Sequence, residues 1–118
     1  QWSELNLVSR TISMDDYSGI YFELEEMPAN GELAVKVYGE SDGSEQYSDF
    51  DSPTPVIYFD RSVIGAESRR VTLQYMKSGT FTTHLKKVEL IRHDGTSEPV
   101  DGVSVFWGCS VEMIVNPK

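Results

Sequence analysis

"YSGIYFELEEM", Tyr17 to Met27, decides the fold class. Read at a period of two, Ile20, Phe22 and Leu24 fall on one face of a strand, and Tyr21, Glu23 and Glu25 on the other. The first face is apolar and belongs to a core. The second sets a bulky aromatic ring among carboxylates, on a side that faces water. That combination marks a half-buried strand and raises the question of what the ring is for.

The same period recurs along the chain. "GELAVKVYG" places Leu33, Val35 and Val37 opposite Ala34, Lys36 and Tyr38. "RRVTLQYMK" sets Val71, Leu73 and Tyr75 against Arg70, Thr72, Gln74 and Met76. "ELNLVSRTI", "TPVIYFD" and "LKKVELIRH" read as further strands, the last centred on Val88 and Leu90. "GVSVFWGCSVEMIV" reads as one long strand, with Val103, Val105, Trp107, Cys109, Val111, Met113 and Val115 in a single register. Turn signals separate these runs: "PANGE", "KSGT" and "HDGTSEPVDG". The segment from Ser41 to Pro55 reads as a long irregular loop. No helical period extends over ten residues; "SVIGAESRR" has room for a turn or two. Some seven strands with turns between them predict an all-β chain, an antiparallel β-sandwich of the jelly-roll type.

The 118 residues fit one domain with a single core, residues 1–118, with no repeat or linker to divide it. Ten Lys and Arg stand against nineteen Asp and Glu, a net charge of −9. Nucleic-acid binding needs the opposite sign, and an anionic membrane surface would repel this chain. No apolar run approaches the roughly 18 residues of a membrane helix. The sequence opens "QWSELNLV" without a methionine or an apolar leader, as expected of an excised or processed piece. The lone cysteine, Cys109, excludes an internal disulfide and reads as a buried, inert thiol.

No motif nominates a catalytic constellation: no nucleophile elbow, P-loop or H-E-x-x-H is present. His84 and His93 read as surface histidines. The expectation is that the chain is not an enzyme. "SDGSEQYSDFD" gathers Asp42, Glu45, Asp49 and Asp51, hard oxygen ligands of the kind calcium takes, but without the EF-hand spacing. A solvated acidic loop is the plainer reading; a structural calcium is the metal alternative, and no cofactor is required.

The aromatic residues carry the functional argument. Tyr21 and Tyr38 both project from polar faces of strands joined by the short "PANGE" turn. If those strands pair as a hairpin, the two rings share one face. Gln74 and Arg70 project from the polar side of a later strand. Such a face suits carbohydrate: pyranose rings pack an apolar face on an aromatic ring, and their hydroxyls bond to planar polar groups. Trp2 and Trp107 are further candidate rings. Parity puts Trp107 in the core, whereas a bulge at Gly108 would exchange it with Phe106 and bring it to the site.

The opening "WSEL…I…DDYSGIYFEL", the middle "TTHLKKVELIR" and the closing "VSVFWGCSVEMIV" give the chain a layout that resembles the β-sandwich carbohydrate-binding modules of bacterial plant-cell-wall glycoside hydrolases. The resemblance spans nearly the whole chain and is one of layout, not of a diagnostic motif. It implies a jelly roll without catalysis, a secreted, extracellular setting and a tethered catalytic domain. It also implies a shallow cleft for a β-1,4-glucan or related chain such as cello-oligosaccharide, mixed-linkage glucan or xyloglucan, and in many members a calcium away from the ligand. Two tryptophans far apart in sequence depart from the planar tryptophan row of modules for crystalline cellulose. On this reading Tyr21, Tyr38, Trp107, Gln74, Arg70 and Trp2 bind ligand, and Asp42, Glu45, Asp49 and Asp51 are the metal candidates. The rival from another class is a structural or adhesive β-sandwich that meets a protein through the same rings.

Overall fold

A computed structural model describes residues 3–27, 32–76, 83–100, 102–106 and 111–115, the backbone alone at 3, 76, 83, 102–106 and 111–115. The strands are β1 (Ser3–Val8), β2 (Ile12–Ser13), β3 (Tyr17–Leu24), β4 (Glu32–Tyr38), β5 (Glu45–Asp49), β6 (Val56–Tyr58), β7 (Glu67–Ser68), β8 (Arg70–Met76), β9 (Thr83–Arg92), β10 (Ser97–Pro99), β11 (Gly102–Phe106) and β12 (Val111–Val115). One turn of helix, α1 (Arg61–Ile64), lies between β6 and β7. The all-β expectation holds. The chain packs as a sandwich of two large sheets with a separate two-stranded β2-β7 sheet, and among the described residues every strand pair is antiparallel except that of β12 with β9.

The first sheet runs β1-β8-β4-β5 and the second β11-β12-β9-β3-β6, with β10 also paired to β9. Their inner faces are the alternating apolar sets. Leu33, Val35, Val37, Val71, Leu73 and Tyr75 come from the first sheet, and Ile20, Phe22, Leu24, Val88 and Leu90 from the second. Phe22 is fully buried, and its ring centroid lies 4.8 Å from that of Phe50, just beyond β5. A core so filled gains most of its stability from apolar area removed from water.

Three sequence expectations fail. β3 and β4 do not form a hairpin: β3 bonds to β9 and β6, and β4 to β8 and β5. Both strands carry a strong apolar face, and placing them in opposite sheets lets those faces meet across the core. The supposed loop after Ser41 contains β5, paired with β4 from Ala34↔Asp49 to Tyr38↔Glu45. Its alternation is invisible to hydropathy because neither face is apolar. The last long strand is two strands, β11 and β12, paired antiparallel from Gly102↔Val115 to Phe106↔Val111. The assumption of one register through residues 103–115 therefore falls. Gly108, inside an otherwise apolar run, is the only sequence mark of the reversal.

The ends of the sandwich are closed by short polar contacts. Asp60 caps α1 by accepting the Ser62 amide at 3.0 Å, and Ile64 anchors the turn with full burial. Gly65 follows at φ 85°, a conformation that a side chain rarely adopts. Gln46 of β5 joins the two sheets at one edge, donating to the Tyr58 carbonyl at 2.9 Å and accepting from the Asp60 amide at 2.8 Å.

Phe22→Ala is expected to destabilise the domain by about 3 to 5 kcal/mol, since it empties the centre of both sheets. Urea unfolding followed by tryptophan fluorescence measures this. A loss below about 1 kcal/mol would show that the two sheets are not held together at this ring.

Candidate functional site

Strand register builds a polar surface on the outer face of the first sheet. Outward residues of β4 are Ala34, Lys36 and Tyr38, and their cross-strand partners on β8 are Gln74, Thr72 and Arg70. On the other side of β4, β5 supplies Asp49, Tyr47 and Glu45 in the same rows. β1 adds Glu4 beside Gln74 and Asn6 beside Thr72. Four strands thus present one ordered array of donors, acceptors and rings.

Glu4 is the hub of this array. Its carboxylate accepts from the Tyr38 hydroxyl at 2.6 and 2.8 Å, from Arg70 Nη2 at 2.8 Å, and from Gln74 Nε2. Gln74 Nε2 also donates to Thr72 Oγ1 at 3.1 Å. Thr72 and Gln74 are buried although they point away from the core, because the charged side chains roof them over. Burial pushes the Glu4 carboxyl up, but the bonds from Tyr38 and Gln74 and the charges of Arg70 and Lys36 outweigh it, leaving Glu4 below its ordinary value.

Lys36 forms a second node. Its ammonium lies 3.1 Å from Glu45, 4.4 Å from the Tyr38 ring centroid and 5.2 Å from that of Tyr47. Burial draws it down, yet the contacts with Tyr47, Tyr38 and Glu45 prevail and hold it above an ordinary lysine. The Tyr38 ring is also met by the Arg70 guanidinium at 4.1 Å. With two cations against it, Tyr38 is a strut more than an open platform. Tyr47 is the open ring, 56% exposed.

The sequence candidates therefore separate. Tyr38, Arg70 and Gln74 come together as expected, but Gln74 is buried and reaches the surface only through Glu4. Tyr21 does not join them. It projects from β3 on the outer face of the second sheet, where its hydroxyl donates to Glu23 at 3.1 Å and its neighbours in register are Val56 and Glu89. The expected common face of Tyr21 and Tyr38 is corrected: the two rings stand on opposite exteriors of the sandwich. Trp2 and Trp107 lie outside the described residues, as does Cys109.

The acids of the calcium expectation do not converge. Asp42 lies 3.3 Å from Arg69, and Glu45 pairs with Lys36. Among the described residues no three His, Cys, Asp or Glu form a group that could hold a metal ion. The histidines are surface groups with partners: His84 Nδ1 lies 2.8 Å from Glu25, and His93 Nε2 2.7 Å from the Met14 carbonyl.

Sequence reasoning missed Glu4, Lys36 and Tyr47. Lys36 carried a signal, since it stands between Ala34 and Tyr38 on the polar face. Tyr47 was hidden in a segment read as loop. The role of Glu4 depends on the pairing of β1 with β8, a contact across 70 residues that no local pattern carries.

No family model, curated protein or solved structure matches the chain. The chemistry of this face is therefore the ground for a functional reading.

A carboxyl lowered by folding adds stability that is complete above its unfolded value, about 4.3, and is lost as the pH falls through its lower value in the fold. Glu4→Gln should remove that part of the acid-side loss. Thermal unfolding of both proteins between about pH 2 and 6 is expected to show a shallower acid limb in the variant. Limbs of equal slope would mean that Glu4 gains nothing from its three donors.

Proposed function

We propose that this domain is a non-catalytic carbohydrate-binding module that holds a β-glucan chain across the outer face of the β1-β8-β4-β5 sheet. One observation carries the reading: an exposed tyrosine, Tyr47, lies beside polar groups that are already fixed. Tyr47 offers a face to a pyranose ring, while Lys36, Arg70 and Glu4 offer donors and acceptors to its hydroxyls. Because Tyr38 and Gln74 lock these groups before ligand arrives, little side-chain freedom is lost on binding.

Because its donors hold Glu4 below the ordinary carboxylate range, it stays an ionised acceptor for sugar hydroxyls. The partners of this reading are a β-1,4-glucan or related chain and a glycoside hydrolase tethered in the same polypeptide, in an extracellular setting. Binding uses no metal ion, so EDTA should leave it unchanged.

A second reading, a β-sandwich that meets another protein, draws support from the opposite face. There Tyr58 and Val56 of β6 are 67% and 44% exposed, beside Tyr21.

Isothermal titration with cello-oligosaccharide or mixed-linkage β-glucan separates the two. Tyr47→Ala is expected to weaken binding about two- to twelve-fold, the effect of about 0.5 to 1.5 kcal/mol for an aromatic contact. Tyr21→Ala is expected to bind as the parent does. Normal binding by Tyr47→Ala, or equal loss in Tyr21→Ala, would contradict the site; absence of heat with every glucan would favour the protein-binding reading.

A further inference from the structure

Beside the Tyr38 end of this face is a hollow of about 290 Å³, lined among the described residues by Tyr38, Arg69 and Arg70. Side chains of consecutive strand residues normally point to opposite faces. Here the chain bends at Arg69, between β7 and β8, and both arginines border one hollow. Each is anchored from behind. Arg69 Nε donates to the Gly39 carbonyl at 2.7 Å, and Arg70 Nη2 to Glu4 at 2.8 Å.

A guanidinium has five N–H donors. Arg69 Nη2 and the Nε and Nη1 of Arg70 have no hydrogen-bond partner among the described residues. The further partner of Arg69 is Asp42, at 3.3 Å, whose carboxylate is wholly exposed. Such long, solvated pairs contribute little and are readily exchanged. Asp42 thus occupies a position that a ligand carboxylate could take over, with a second arginine next to it. A guanidinium anchored through its other donors matches the planar geometry of a carboxylate better than that of a hydroxyl.

We infer that Arg69 and Arg70 form a subsite for a carboxylate carried by the polysaccharide, so that the ligand class is a β-linked chain with uronate-type substituents. The inference rests on the carbohydrate reading above and extends it. The subsite works against the overall charge of −9, which repels an acidic polymer at long range. At about 0.15 M salt that repulsion is screened beyond about 8 Å, while the contact at the hollow persists.

Carboxymethylcellulose and hydroxyethylcellulose share a β-1,4-glucan backbone and differ in the charge of their substituents, which makes them the probes. In titrations at about 0.15 M salt, the domain is expected to bind the carboxymethyl polymer about three- to ten-fold more tightly. Arg69→Gln should abolish that preference and leave hydroxyethylcellulose affinity unchanged. Asp42→Asn should strengthen binding of the carboxymethyl polymer alone, and it decides the matter if Arg69→Gln does not fold. Equal or weaker binding of the carboxymethyl polymer, a preference that survives Arg69→Gln, or no gain in Asp42→Asn would overturn the subsite while leaving a neutral glucan-binding face intact. Failure to bind either polymer would overturn the carbohydrate reading and the subsite with it.

Discussion

The structure depends on one constraint: the apolar faces of β3 and β4 must meet each other across the core. Ile20, Phe22 and Leu24 come from one sheet, and Leu33, Val35 and Val37 from the other. Strands that shared a sheet edge would send both faces to the same side and leave each to find a separate cover. Opposed sheets bury both at once. The polar residues that alternate with them are then sent to opposite exteriors, and this divides Tyr21 from Tyr38.

The same division gives the two exteriors different chemistry. On the second sheet the outward residues of β3 and β6 are Gly19, Tyr21, Glu23, Val56 and Tyr58. Gly19 is small because a Cβ there would lie 2.6 Å from the Ile57 carbonyl oxygen, so the row beside Tyr58 carries no side chain on β3. On the first sheet the outward rows are filled, and Thr72 and Gln74 are buried beneath Glu4, Lys36 and Arg70. Buried polar groups are costly unless paired. Here Gln74 bonds to both Thr72 and Glu4, and Glu4 in turn orients Tyr38 and Arg70. A surface ordered in this way resists rearrangement and holds its donors and acceptors fixed.

Much of this was legible in the sequence where burial and period coincide. Ile20, Phe22 and Leu24, like Val71, Leu73 and Tyr75, sit in the core as alternation required, and the all-β class followed. Sheet membership was not legible, because hydropathy says which face of a strand is buried and nothing of which strand lies beside it. β5 escaped because Glu45, Gln46, Tyr47, Ser48 and Asp49 offer no apolar face, although β4 supplies the backbone partners that make them a strand. The reversal between β11 and β12 escaped because an apolar strand and an apolar hairpin share a composition. Within the site, Tyr38 and Arg70 stood out by residue type. The carboxylate that organises them did not, since Glu4 acquires its role from a strand far away in the chain.

The central claim is that ligand lies on the outer face of the β1-β8-β4-β5 sheet, and amide chemical-shift mapping during titration with a cello-oligosaccharide tests it most directly. The account predicts that the largest shifts fall at Glu4, Lys36, Tyr38, Tyr47 and Arg70, with those at Tyr21, Tyr58 and Glu89 unmoved. Shifts concentrated at Tyr21, Tyr58 and Glu89 would contradict it and move the binding surface to the other side of the sandwich.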